Sequence, residues 1–409
     1  MRETNYYKEQ IEKDFWPYWE KYIDTTYGGV LNCINNYGDK IINEKKYSWS
    51  QGRFLWILSS LYELSIKGIL DIDKNRLKNY MDGNLKFILD NCLLEDYSTV
   101  FLLERDGTRI KDKKTGRYDT SIYSDCFIII GICKYVQNIE DESLVKTILN
   151  ILNNTTNKIS SKHFYTEPYP IPEGYETHAV NMIMVNTLYE VIQTLDKYSM
   201  KYDKYVKQAN NMINTILYKL CEDGLIREFV YKEGAKNKRL LDRHVTPGHA
   251  LESMWFIIEY LEKYQDITKH IDTIGDISIK SFDIGWDEEF GGLLRFVDRE
   301  GGIPKGESQE TSFEKLIMDT HDMKIWWPQS EALVIFHKLY QLTGNQKYLE
   351  RYNKIKEYVF RVFPNEEIGE WIQIRLKDGS PLEKVVALPV KDPFHIMRAF
   401  IKIIESEEL

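Results

Sequence analysis

A segment near the start of the chain returns near its end, and this internal repeat restricts the fold more than any other feature. Asp24-Thr-Thr-Tyr27-Gly28-Gly29-Val30-Leu31 reappears as Asp287-Glu-Glu-Phe290-Gly291-Gly292-Leu293-Leu294. Weaker relatives run from Glu95 to Leu102 and from Gly369 to Ile374, ending in the turns Asp106-Gly107 and Asp378-Gly379. Alternating apolar residues around such turns predict short β-hairpins. Between them lie pairs of segments with helical period: 50–66 with 74–92, 122–137 with 141–157, 175–195 with 199–219, 248–264 with 267–283, and 324–343 with 346–362. Segments 7–22 and 392–405 bring the total to about a dozen helices. A unit of roughly 65 residues fills the chain six times. Helix pairs that stack side by side and close on themselves predict an all-α fold, an (α/α)6 barrel forming one catalytic domain over 1–409, with short β-hairpins at one mouth where they wall a pocket.

A second repeat carries polar residues. Lys46-Tyr-Ser-Trp49-Ser-Gln51-Gly-Arg53-Phe-Leu55 recurs as Lys324-Ile-Trp-Trp327-Pro-Gln329-Ser-Glu331-Ala-Leu333, with Lys, Trp, Gln and Leu at the same offsets. Both stand where an inner helix should begin, and Pro328 suits a first helical turn. One copy reads equally well as capping and packing. Two matched copies that diverge at Arg53 and Glu331 point to a shared cleft.

Two histidines open helices. In Pro247-Gly248-His249-Ala-Leu-Glu252 a Pro-Gly turn precedes the helix, and His249 and Glu252, three apart, share a helix face. A carboxylate there would fix the imidazole tautomer and raise its basicity, as a proton-abstracting site needs, although a capping histidine beside a surface Glu is the plainer reading of this segment alone. In Asp392-Pro393-Phe394-His395-Ile-Met-Arg398 a second His follows a second Pro turn and opens the last helix. A closed barrel sets the last unit beside the first, so both histidines reach one mouth. Two bases that flank one substrate can take a proton from one face and return it to the other.

Composition excludes several alternatives. A net charge of −9 argues against a nucleic-acid partner. No apolar run approaches the roughly 20 residues that cross a bilayer, so no membrane partner is expected. Met-Arg-Glu-Thr-Asn-Tyr-Tyr lacks an apolar stretch behind its charges, which predicts a cytoplasmic location. The five cysteines have no Cys-x-x-Cys spacing and read as buried thiols. His-x-x-Glu matches half of a di-iron motif, but a second set is absent, so no metal is expected. Neither a dinucleotide-binding nor a P-loop glycine pattern occurs.

Taken in order, Tyr27-Gly-Gly, Lys46 to Arg53, Pro247 to Glu252, Trp286 to Gly292, Lys324 to Glu331, Glu370-Trp371 and Phe394 to Arg398 resemble the N-acylglucosamine 2-epimerase family, which includes renin-binding protein, cellobiose 2-epimerases and mannose-type isomerases. The resemblance implies an (α/α)6 barrel and proton transfer at C2 of an open-chain sugar through an enediolate, with His249 and His395 as bases. Arg53 is the cation placed to face the enediolate oxygen, and Glu252 the group that orients His249. Trp49 and Trp327 would wall the sugar, while Gln51, Gln329, Glu331 and Asn181 would bind it. The implied partner is a small sugar, with no required cofactor, a nucleotide such as ATP only as effector, and a second copy of the chain in a homodimer. Cellobiose epimerases and mannose-type isomerases carry a third His on the middle inner helix, where this chain has Ile183. That favours N-acetylglucosamine and N-acetylmannosamine over the alternatives, an aldose–ketose isomerase or a cellobiose or mannose epimerase. His178 reads as structural. The stretch Val385 to Lys391 departs from the family's Gly-rich run before the last His. A non-catalytic binding protein would not need both histidines, and a glycoside hydrolase would need a carboxylate opposite Glu331 or Asp287.

Overall fold

The computed structural model describes residues 3–233 and 237–408. Among them, six helices pack in sequence order and close into a ring: Ser48–Ile66, Ile122–Asn138, His178–Lys197, Pro247–Tyr264, Trp326–Thr343 and Phe394–Glu408, the last returning against the first. Each is backed by an outer helix: Lys74–Phe87, Glu142–Ser161, Asp203–Asn214, Ile271–Gly285, Gln346–Val362 and, behind the sixth, Glu3–Glu9.

Burial explains which helices went inside. In Ile122–Asn138 every residue from Ile122 to Val136 is buried, as a helix packed on all sides requires. Its outer partner Glu142–Ser161 buries one stripe, Leu144, Val145, Ile148, Ile151, Leu152 and Thr155, and turns its polar side to water. The predicted segments 74–92 and 199–219 are split: each ends in a wide π-helical turn, at Ile88–Cys92 and Thr215–Lys219. Two short helices escaped the sequence reading, Leu240–Arg243 with 4 residues and a longer one. Ser312–Thr320 spans only 9 residues and is held by a capping box between Thr311 and Glu314, too short a run for periodicity to reveal.

Strands of two or three residues run directly into four inner helices: Lys46–Tyr47, Tyr175–Thr177, His244–Val245 and Lys324–Ile325. Their partners come from the loops, as in Lys324↔Arg375 and His244↔Asp298. These pairings gather the loops at the N-terminal mouth of the ring.

The Gly-Gly repeats are not the hairpins their alternation predicted. Single bridges, Ile23↔Val30 and Trp286↔Leu293, close tight loops instead. Gly28 and Gly29 have φ of +84° and +80°, and a side chain at Gly29 would press on Gln51 Oε1. The second repeat fastens the first. Gln51 accepts from Val30 N at 2.8 Å and donates to Val30 O at 3.0 Å, and Gln329 treats Leu293 N and O likewise at 2.9 and 2.8 Å. Lys46 reaches Asp24 at 2.9 Å and Lys324 reaches Asp287 at 2.7 Å, all four buried. The Lys and Gln of each copy therefore rivet a glycine loop to the helix that follows it.

Replacing Gln51 or Gln329 by Leu should lower stability by about 2–4 kcal/mol, because two buried backbone groups lose their partners. Thermal unfolding reads this directly. A glutamine that served only the cavity would leave the melting temperature unchanged.

Candidate active site

The first turns of the inner helices line a cavity of about 170 Å³ at the N-terminal mouth. Trp49 and Arg53 come from the first helix, Tyr123 and Phe127 from the second, Met182 and Ile183 from the third. His249 and Glu252 come from the fourth, Trp326 and Trp327 from the fifth, and His395 from the sixth. The first, second, fourth and fifth helices start without a side-chain cap, so the positive ends of their dipoles lie beside this space. The Val386-to-Val390 stretch, which departs from the family pattern, supplies an apolar wall.

The two histidines enter the cavity with opposite electrostatics. His249 Nδ1 lies 3.0 Å from Glu228 Oε2, which leaves Nε2 for a ligand. Burial disfavours the charged ring, but the Glu228 carboxylate, with Glu252 behind it, outweighs burial and raises the His249 pKa; Arg295 opposes them. Glu228 answers in kind: burial would raise its pKa, yet His249 and His178 hold it well below the usual carboxylate range. Trp327 lies nearly parallel to the His249 ring, with centroids 4.9 Å apart and planes tilted by 33°. Gly248 makes this possible, since a side chain there would strike the indole.

His395 is held neutral. Its Nδ1 stands 2.5 Å from Glu331 Oε1 and 3.3 Å from Arg398 Nη2; the carboxylate, which can only accept, favours the proton on Nδ1 and the lone pair on Nε2. Glu331 already receives Arg398 at 2.8 Å and Trp255 Nε1 at 2.6 Å. Burial, reinforced by the positive charge of Arg53, pushes the His395 pKa down to about 3 despite the carboxylates nearby.

Several expectations are corrected here. Glu252 lines the cavity but does not bond His249; its Oε1 accepts from Arg398 at 2.5 Å, because the inner face of the fourth helix also meets the sixth. Glu228, arriving from the loop before the fourth helix, takes the orienting role. Glu331 is buried below His395 rather than open to sugar hydroxyls. Gln51 and Gln329 do not line the cavity: they stand two residues from Trp49 and Trp327, on the helix side that faces the glycine loops. Asn181 also stays outside the lining, whereas its neighbours Met182 and Ile183 belong to it. His178 is fully buried and bonded to Ser253 at 2.6 Å, a supporting position.

Arg53 lies where the sequence predicted. Its guanidinium is stacked 4.0 Å from the Phe127 ring and 4.7 Å from Trp49, and Nη1 donates to Asp392 at 2.8 Å. Burial lowers its pKa to about 10, against the pull of Asp392, so it stays charged at neutral pH. Nothing in the sequence marked Glu228, whose loop has no period to read. Asp392 and Arg398 flank His395 in a motif already noted, and their carboxylate and guanidinium were the available signals.

Among the described residues, two groups bring metal-ligand atoms within 4.8 Å of one another: His178, Glu228 and His249, and Glu252, Glu331 and His395. In the first, His249 Nδ1 already pairs with Glu228; in the second, the Arg398 guanidinium occupies both carboxylates. No described helix is long and apolar enough to cross a membrane.

A closed ring of six helix pairs with histidines at its N-terminal mouth defines an (α/α)6 barrel of the sugar epimerase type. The model of the N-acylglucosamine 2-epimerase family matches residues 29–399, and the chain belongs to that family. It is 27% identical to mouse N-acylglucosamine 2-epimerase, over 97% of this chain and 91% of the mouse protein. Identity to the cellobiose 2-epimerase of Dictyoglomus turgidum is 23%, over 97% of both. The crystal structure of a sugar epimerase from a ruminal bacterium superposes with a TM-score of 0.78 at 16% identity, covering 99% of each chain, and so shares the fold.

Replacing Glu228 by Gln should lower the His249 pKa, since it removes the largest influence that favours the imidazolium. An NMR titration of the imidazole would show its midpoint at lower pH than in the wild type. An unmoved midpoint would mean that Glu228 does not set the charge of His249.

Proposed function

We propose that this sugar 2-epimerase interconverts N-acetylglucosamine and N-acetylmannosamine by proton transfer between His395, His249 and C2. The observation that carries this reading is the split in charge between two histidines that share one cavity, one pushed toward imidazole and the other toward imidazolium. Groups whose environments drive their pKa values apart are the acid and base of a site.

The open-chain aldehyde acidifies the C2 proton, which passes to His395 Nε2. The electron pair moves into the C1–C2 bond and the carbonyl oxygen becomes an enediolate-type oxyanion. Arg53, which lines the cavity, supplies positive charge for that oxygen, helped by the helix N-termini around the mouth. His249, protonated at Nε2, then delivers a proton to the opposite face of C2, and the carbonyl re-forms. Glu228 stabilises the imidazolium before transfer, and Glu331 carries the charge that builds on His395. Solvent exchange resets both histidines for the next turnover. Trp327, beside both imidazoles, offers a flat wall for the chain of the sugar.

Ile183 and Met182 favour an N-acyl sugar. They present apolar surface where an acetyl methyl can be buried, worth roughly 1 kcal/mol. An isomerase must also move a proton between the oxygens on C1 and C2, a task for a further acid–base group, and Ile183 has none to offer.

Incubation with each sugar in deuterated water, followed by NMR, tests the reading. Deuterium should enter at C2 and the C2 epimer of the N-acetyl sugar should accumulate. Faster conversion of mannose to fructose would replace this reading with an isomerase. Alanine at His249 or His395 should lower kcat by at least about 10²-fold. Arg53→Lys keeps charge but loses the fork of donors, and kcat should fall by about 10- to 10³-fold with unfolding unchanged.

A further inference from the structure

The cavity holds a second arginine that the epimerisation scheme leaves unused. Arg295 follows the second Gly-Gly loop, is 2% exposed, and lines the cavity beside Phe296, Tyr169 and Val386. Its Nη1 donates to Thr320 Oγ1 at 3.1 Å, and its Nη2 to Tyr169 Oη at 3.2 Å and to Val386 O at 3.3 Å. A guanidinium has five N–H groups, so these contacts leave two, and Nε is buried without a partner.

Most other buried cations have a carboxylate: Lys46, Lys324, Lys391, Arg53 and Arg398 each meet one within 3.1 Å. Arg375 is also buried and has only the carbonyls of Gly379 and Phe363 as acceptors, but it does not line the cavity, whereas Arg295 does. Among the described residues, no carboxylate comes within 4.0 Å of Arg295, and all three of its acceptors are neutral oxygens. Burying an uncompensated cation is costly unless an anion arrives to pair with it. The same position in the first repeat, Asn32, is a neutral amide bonded to Ser50 and to Lys391 O, so the architecture does not itself demand a charge there.

We propose that the sugar this chain epimerises bears an anionic substituent, a carboxylate, sulfate or phosphate, that binds the Arg295 guanidinium and the Tyr169 hydroxyl. Tyr169 Oη accepts from Arg295, which leaves its own proton to donate to the anion. The proposal rests on the C2-epimerase reading and, within the N-acylhexosamines, sets derivatives that carry an anionic group above neutral N-acetylglucosamine and N-acetylmannosamine as substrates. It also gives the site an internal logic: Arg295 opposes protonation of His249, and an anion bound to it removes that opposition just when the acid is required.

The test compares N-acetylmannosamine with its 6-phosphate, its 6-sulfate and N-acetylmannosaminuronic acid, with deuterium entry at C2 and epimer formation as readouts. A charge-assisted pair should raise kcat/KM for at least one anionic sugar by about 10- to 100-fold over the neutral one, mostly through KM. Which anion is preferred separates the three sources. In Arg295→Gln the ratio of anionic to neutral kcat/KM should fall to about one, and Arg295→Lys should keep part of it. A wild-type enzyme that uses the neutral sugar as well as every anionic one overturns the proposal. Should none of the sugars exchange at C2, the epimerase reading fails, and calorimetry of glucuronate against glucose still tests the site: glucuronate binding that is lost in Arg295→Gln supports it, and equal binding overturns it. Thermal unfolding of each variant confirms that the fold is retained.

Discussion

Arg398 is the contact on which the site depends. It starts on the last inner helix and its Nη2 reaches Glu252 on the fourth and Glu331 on the fifth, at 2.5 and 2.8 Å. Three separate stretches of chain are thereby joined at the inner face of the barrel. Such an ion triad is poor evidence of net stability, because stripping water from three charges costs about what their attraction returns. Its value is positional. With Glu331 locked by Arg398 and Trp255, the carboxylate offers one oxygen to His395 in a fixed direction and favours the tautomer that carries its proton on Nδ1. The aromatic faces of Trp255 and Phe394 lie 4.8 and 4.4 Å from the same guanidinium and exclude water from it.

The two histidines differ because their surroundings differ, although both sit at the start of an inner helix. The His395 side chain is 8% exposed, with Arg53 and Arg398 close by, and its carboxylate partner is already satisfied by a guanidinium. His249 is 28% exposed and faces Glu228, a carboxylate with no Lys or Arg within ion-pair distance among the described residues. The imidazole is thus the cation that Glu228 must find, and the ring takes up the proton that His395 is denied. Neither environment is local in sequence: Glu228 is 21 residues from His249, and Glu331 is 64 residues from His395.

Much of the architecture was legible because repetition and period report burial directly. The helical segments follow from apolar spacing and their pairing into units from the repeats, while closure of the last unit on the first is the expectation for a six-unit barrel that the structure bears out. What misled was the second repeat. Trp, Gln and Arg or Glu kept together at one helix start look like a single cleft, yet positions two apart point to different sides of a helix. Trp49 and Arg53, four apart, face the sugar cavity; Gln51, between them, faces the Gly28-Gly29 loop. The duplicated residues are duplicated because they fasten duplicated loops, and Arg53 and Glu331 differ because each inner helix meets different neighbours across the ring.

The sequence by itself determined the barrel, the helix starts that carry His249, His395 and Arg53, and the family to which the chain belongs. These depend on short-range patterns: apolar period, Pro and Gly at turns, and motifs of a few residues. Only the tertiary structure decided which carboxylate serves which histidine, that Glu252 turns toward Arg398, that Gln51 and Gln329 serve the fold, and that Arg295 is buried without an anion. A charge acquires its partner across the ring, over separations that spacing along the chain does not encode. Its pKa is then set by burial and by neighbours that meet only when the barrel closes.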